Sequence, residues 1–250
     1  MRILRRLLSR IWLPLILLAA WEICARAGLF SSIFFPPPSF LLTAALAMIR
    51  SGELPMHLGI TVGRTLEGAI IGILAGVACG TLMGSSRAVR QTLEPLVAAV
   101  NASPKLAFLP LLMLLLGIGE APRLVVIATA AFVTATLPML DAVRNLDSNY
   151  VELARNYGAH SWQLVRWVYL PGCLPHVLTG VRLALSRALG ICIAIEVVNS
   201  QTGLGKIIWA GWLTLAPEQV YIGVFAAGAL GVLFHGSMRL LERALVPWKP

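Results

Sequence analysis

The chain has 250 residues, 58% of them hydrophobic and 12% charged, with a formal net charge of +9. A soluble domain carries about 25% charged residues, and no core of this length hides so much apolar surface, so lipid must cover part of it. The basic residues stand singly or in small groups between apolar stretches, which argues against nucleic-acid binding and fits a membrane protein whose cytoplasmic side is marked by arginine.

Taken in chain order, apolar stretches fall at 11–27, 66–83, 93–116, 124–143, 174–198 and 220–240. Each is compared with the roughly 20 residues that a helix needs to cross the hydrocarbon layer. They predict an all-α transmembrane fold of about six helices. The first stretch follows Arg2, Arg5 and Arg6 and ends near Ala25-Arg26-Ala27, the outline of a signal peptide. Trp21, Glu22 and the membrane segments that follow favour an uncleaved first helix instead.

The second stretch carries Gly68, Gly72, Gly76, Gly80 and Gly84, a small residue at every fourth position. Such a ridge lets another helix approach closely. The third contains Pro104 between Asn101, Ser103 and Lys105, a break of the kind tolerated where helices meet or a cavity opens. Asn101 and Ser103 are therefore candidates for a translocation pathway, and Lys105 either contacts solute or snorkels to the interface. Thr129, Thr134 and Thr136 either line a pore or return their hydroxyls to backbone carbonyls.

Between the fourth and fifth stretches, residues 147–175 are unlike a simple connector. Val151 to Asn156 reads as a short helix closed by Gly158 at C′. Ser161 reads as the cap of a second short helix that Pro171 ends. Tyr157, Trp162 and Trp167 add large side chains to a basic surface. At the end of the fifth stretch, Glu196 precedes Asn199, Ser200, Gln201 and Thr202. An ionisable group at membrane depth is a pathway candidate by default, so Glu196, Asn199 and Gln201 join that list. The alternative for Glu196 is an ion pair with Arg182 or Arg187.

Arg2, Arg5, Arg6, Arg10, Arg87, Arg90, Arg144, Arg155, Arg166, Arg239, Arg243 and Lys249 fall on one side of the bundle, against Arg26, Arg50, Arg64, Arg123 and Lys206 on the other. This imbalance places both termini and the 147–175 loop in the cytoplasm. Cys24, Cys79, Cys173 and Cys192 form no C-x-x-C pair, and His57, His160, His176 and His235 are scattered, so no metal or redox site is expected. No H-E-x-x-H is present, and Gly203-Leu204-Gly205-Lys206 is not followed by Ser or Thr, so neither a metalloprotease helix nor a phosphate-cradling loop is expected.

The loop resembles a known signature. Glu152, Ala154, Gly158, Val168, Leu170 and Pro171 have the spacing of the Glu-Ala-Ala…Gly…Ile-x-Leu-Pro motif of bacterial ABC importer permeases, with Leu153 in place of the middle alanine. Trp21-Glu22, Pro36-Pro37-Pro38-Ser39, Leu109-Pro110-Leu111, Leu116-Gly117-Ile118-Gly119, Thr179 to Ala184 and Glu196 match the sulfonate, taurine, nitrate and bicarbonate branch over nearly the whole chain. Asp141 and His235 depart from it. The resemblance implies a type I importer-like permease subunit of a bacterial inner membrane, with residues 1–57 as an N-terminal helix and outer loop and 58–250 as the permease core. It implies a homodimer, two ATPase subunits that bind ATP and Mg, and an extracytoplasmic solute-binding protein. It places ATPase coupling on Glu152, Leu153, Ala154, Tyr157, Gly158, Ala159, Trp162, Leu170 and Pro171. The expected solute is a small anion such as an alkanesulfonate, taurine, nitrate or bicarbonate, with thiamine-precursor pyrimidines and aromatic acids as alternatives. A rival class, an ion-gradient-driven secondary transporter, would want inverted repeats and paired midplane charges, and an intramembrane enzyme would want a framed catalytic pair; neither is evident in the sequence.

Overall fold

The computed structural model describes residues 2–29, 31 and 33–246, with side chains from residue 12 onward. Lys249 and the side chains of Arg2, Arg5, Arg6 and Arg10, which enter the charge balance, lie outside that description. The described residues contain helices and no strand. In chain order the helices are α1 (Arg2–Arg26), α2 (Pro38–Arg50), α3 (Glu53–Ser85), α4 (Arg87–Ala102) and, after a 3₁₀ turn at Lys105–Phe108, α5 (Leu109–Leu116). Then follow α6 (Glu120–Arg144), α7 (Ser148–Asn156), α8 (Ser161–Leu164), a π turn at Val165–Tyr169, α9 (Leu170–Asn199), α10 (Leu204–Leu213) and α11 (Pro217–Leu245).

The six apolar stretches fall in helices, the third of them interrupted, and α3, α6 and α11 are each long and apolar enough to cross a membrane. The third stretch needs correction. It is no single rod: α4 and the segment 105–116 meet at 91°. Ser103, which precedes proline, is pushed to an extended conformation (φ −70°, ψ 141°), and the helix stops there. The ammonium of Lys105 then donates to the carbonyls of Asn101 (2.7 Å) and Ser103 (3.3 Å), which the interrupted helix leaves without internal donors.

Two compact units divide the chain, Met1–Ile60 with Glu196–Ala227 and Thr61–Ile195 with Gly228–Pro250. In the first, the Trp21-Glu22 and Pro36-Pro37-Pro38-Ser39 motifs meet. The Glu22 carboxylate accepts from the Ser39 N–H (3.0 Å) and hydroxyl (2.8 Å) and from Arg26 Nε (2.5 Å). A carboxylate at the first turn of α2 satisfies one of its free donors and complements the helix dipole. Trp21 packs against Tyr221 and Phe225, with ring centroids 5.4 and 6.2 Å away.

The second unit is organised by α6, whose buried residues include Val126, Ile127, Ala130, Ala131, Val133, Ala135, Thr136, Met139 and Leu140. The glycine ridge of α3 lies against it. A Cβ on Gly76 would come within 2.5 Å of the Phe132 carbonyl oxygen, and one on Gly80 within 2.6 Å of that of Thr136. A Cβ on Gly72 would overlap the Ala128 carbonyl, and one on Gly84 would fall 2.5 Å from Val143 Cβ. Successive carbonyls of α6 thus face bare Cα atoms, a spacing that permits Cα–H···O contacts. At the other end of the contact, the buried Arg64 holds Glu120 with both nitrogens (2.7 and 2.6 Å), and Arg123 holds the same carboxylate at 2.6 Å.

Gly59, also on α3, has no atom within 4 Å of a built Cβ, so it separates helix propensity from packing. We expect Gly59→Ala to leave the melting temperature of the purified chain unchanged or raised, since alanine is favoured in a helix by up to about 1 kcal/mol. Gly72→Ala is expected to destabilise by about 1–3 kcal/mol through overpacking, read in the same thermal melts.

Candidate functional site: the elbow between α6 and α9

Residues 147–171 form an elbow whose inner side is core and whose outer side is apolar and exposed. Asp147 caps α7 by accepting from Asn149 N–H (3.0 Å). The helix ends in a Schellman motif: Gly158 N–H donates to Arg155 O (2.8 Å) and Ala159 N–H to Ala154 O (3.0 Å). Gly158 sits at φ +82°, the left-handed conformation that this motif requires of its C′ residue. Glycine was expected there, and the hydrogen bonds supply the reason.

Two details of the elbow correct the sequence reading. The cap of α8 is His160 rather than Ser161, and His160 N–H is held by the Gln163 side chain at 3.1 Å. Pro171 does not end the second helix. The chain runs from α8 through the π turn into α9, with Leu170 N–H reaching back to Val165 O. A proline ring clashes with the carbonyl four residues earlier, here Trp167 within the widened π turn. The wider turn relieves that clash and lets the helix continue.

The inner side of the elbow is fixed by packing. Leu164, Tyr169 and Cys173 are buried with Met139, Ala142 and Val143 of α6, and Val151, Ala154 and Ala159 pack against this cluster. Ala154 and Ala159, the C3 and C″ residues of the Schellman motif, thus make the hydrophobic contact that accompanies it. The outer side is bare: Tyr157 is 86% exposed, Trp167 69%, Trp162 65% and Leu153 56%. Leu153, Ala154, Tyr157 and Pro171 line one open cavity of about 590 Å³, together with Tyr150 and Trp167. Arg155 and Trp162 line another, of about 360 Å³. The nine residues to which the resemblance assigns coupling lie on α7, on the turn after it, on α8 and at the start of α9, with Glu152 exposed. Tyr150 is a further exposed side chain, 61% accessible; its position one turn before Ala154 was the available signal.

The polar groups at membrane depth divide between the two units. In the second, Ser103 returns its hydroxyl to Ala99 O (2.7 Å) and Asn101 is exposed beside it. Thr129, Thr134 and Thr136 each bond the carbonyl four residues back, at 2.7, 2.8 and 2.7 Å, the backbone role open to such hydroxyls.

In the first unit, Glu196 is 1% exposed and accepts from Gly205 N–H at 3.1 Å. Arg182, in the second unit, reaches Glu242 (3.4 Å). His57, 3% exposed, accepts through Nδ1 from Gly203 N–H at 2.9 Å. Gly203 stands at φ +104°, and a Cβ there would strike the Glu196 carboxylate. The Gly203-Leu204-Gly205 turn that superficially suggests a phosphate loop thus has its N–H groups taken by a carboxylate and an imidazole of the same chain. Glu196 is a staple for this turn, while Asn199 ends α9 and Gln201 is exposed just beyond it. His57 carried no signal in the sequence, because its partner lies 146 positions away.

Among the described residues, helices alone, three of them of membrane length, define a membrane-embedded helical protein with an apolar, exposed elbow. The chain belongs to the family of binding-protein-dependent transport system inner membrane components, whose model matches residues 68–247. It is an ABC importer permease, a transport subunit of the inner membrane and not itself an enzyme. It is 30% identical over 238 residues to the taurine transport system permease protein of Escherichia coli (strain K12), covering 93% of this chain and 86% of that one. It is 31% identical over 238 residues to a putative aliphatic sulfonates transport permease protein of Bacillus subtilis (strain 168), covering 95% and 86%. Its fold is that of the inward-facing MetNI methionine ABC transporter, with a TM-score of 0.66 at 20% identity over 76% of this chain and 94% of that one.

The positive φ of Gly158 gives a direct test of the elbow's rigidity. Gly158→Ala places an L residue in the left-handed region at a cost of about 1–2 kcal/mol. Limited proteolysis of the 156–161 segment is expected to accelerate about five- to thirtyfold, while the thermal melt of the membrane helices stays unchanged.

Proposed function

We propose that this chain forms the translocation pathway of an importer for a small sulfonate-like anion, and that ATPase subunits in the cytoplasm drive it by gripping the elbow. The observation that carries this reading is the juxtaposition of exposed Tyr157, Trp162, Trp167 and Leu153 with a stiff, capped and buried inner side. Exposed apolar clusters of this kind on an otherwise ordered element mark protein interaction sites. The excess of arginine on the elbow's side of the bundle supports a cytoplasmic elbow. The chain offers no phosphate cradle, so ATP and Mg belong to the partner subunits.

Force applied to α7 passes to α6 through Val151 and Ala154, which rest on the cluster of Met139, Ala142 and Val143. From α6 it passes to α3 across the glycine contact, which has no flexible side chains to absorb displacement. Two copies of the chain, as in ABC importer permeases generally, would enclose the path, and a binding protein would deliver the solute from outside. The named solutes of the relatives, taurine and aliphatic sulfonates, share a sulfonate group, which supports that class here.

Co-purification with the cognate ATPase subunits tests the coupling. Tyr157→Ala is expected to weaken association by about 2 kcal/mol, the scale of an aromatic hot spot, or roughly thirtyfold. Glu152→Lys is expected to weaken it as well, and Leu74→Ala, on an exposed face of α3 away from the elbow, is expected to have no effect. Full association in both elbow variants would overturn the proposal.

A further inference from the structure

Arg187 lies midway along α9, a helix of 30 residues. Its neighbours Ala184, Leu185, Ala188 and Cys192 are buried in the core with Val126, Ile127 and Ala131 of α6. Leu183, Ser186, Arg187 and Gly190 form the opposite, exposed stripe at helical spacing. Of the other arginines in the apolar helices of this unit, Arg64 and Arg123 hold Glu120 and Arg182 reaches Glu242, while Arg144, Arg239 and Arg243 stand in the last two turns of α6 and α11. Arg187 has no acceptor among the described residues. No Asp or Glu occurs at 105–119, 121–140 or 170–195.

Lys105 is a second cation of this unit. It gives its ammonium to two neutral carbonyls, those of Asn101 and Ser103, so its charge is solvated but not cancelled. Its segment lies beside α9, the next residue, Leu106, packing against the cluster that holds Ala184 and Ala188. Lys105 borders a cavity of about 240 Å³ with Ser103, Phe108 and Thr129. Arg187 borders one of about 530 Å³ with Thr134, Ser186 and Gly190, and a Cβ built on Gly190 meets nothing within 4 Å. A lone arginine at membrane depth costs about 2.5–3.5 kcal/mol on insertion scales.

We infer that Lys105 and Arg187 form a transit site for the oxyanion group of the solute, with the forked guanidinium of Arg187 as the specificity-determining group. The inference deepens the function proposed above and rests on its anionic solute. A guanidinium matches two oxygens of a sulfonate at once, the ammonium adds a point charge, and the open lane at Gly190 leaves room for the solute's organic tail.

The test uses the full chain in nanodiscs of phosphatidylcholine alone, melted in rising ethanesulfonate or in dimethyl sulfone, its neutral counterpart. A saturable rise with ethanesulfonate only is expected for the wild type, lost in Arg187→Gln and partly kept in Arg187→Lys. In proteoliposomes with ATPases and binding protein, uptake of labelled ethanesulfonate is expected to fall at least about tenfold in Arg187→Gln, the loss of one charge-assisted contact, with ATPase association unchanged. Equal stabilisation and uptake in Arg187→Gln would overturn the site. Stabilisation by phosphatidylglycerol but not by ethanesulfonate would replace it with a lipid site. Dissociation of the dimer in Arg187→Gln would replace it with a carboxylate of a second copy. Should Arg187→Gln not assemble, Lys105→Gln decides alone, full stabilisation and uptake there counting against the pair. Anion stabilisation in a wild type that imports no ethanesulfonate would sink the solute assignment and leave the site standing.

Discussion

On the side where α6 meets α3 there is no space for a side chain. The carbonyls of Ala128, Phe132 and Thr136 press toward Gly72, Gly76 and Gly80 so closely that a single added carbon at any of the three would collide with main chain. In lipid, apolar side chains give helices little reason to prefer one another over the surrounding hydrocarbon, so close approach of backbones supplies the attraction. The Arg64–Glu120–Arg123 cluster pins one end of this contact, and Val143 against Gly84 closes the other. Five glycines cost helix stability in isolation, and the packing they permit returns it.

The remaining features of this unit hang on α6. Its last turns carry Met139, Ala142 and Val143, the floor on which the elbow rests. Its middle turns carry Val126, Ile127 and Ala131, against which α9 packs while turning Arg187 outward. One buried helix therefore touches the glycine ridge, the proposed ATPase-gripped elbow and the proposed anion site. Coupling between sites requires such a physically continuous element, and a helix packed without slack transmits displacement instead of absorbing it.

Much of this was legible in the sequence for local reasons. A glycine every fourth residue has one geometric use in an apolar helix, and a glycine followed by a new helical pattern reads as a C′ residue. The family signature located the elbow. What escaped was set by three-dimensional partners. The bend at Pro104 was legible as a break, but its 91° angle depends on the tertiary setting. Pro171 looked like a stop because a π turn leaves no compositional trace. His160 caps α8 through the reciprocal reach of Gln163, a pairing outside the usual cap alphabet. Glu196 was legible as an unusual charge, yet its role came from a loop N–H and from the room that Gly203 leaves.

The central claim is that elbow, α6 and α3 move as one body when the ATPases act. The most direct measurement places spin labels at Ser148 on the elbow and Leu74 on the exposed face of α3, both outside the core, in the transporter assembled with its ATPases. The account predicts one distance distribution, unchanged between nucleotide-free and ATP-bound states of a complex that still imports solute. A distance that shifts with nucleotide would show the elbow moving independently of the glycine-packed pair and would contradict it.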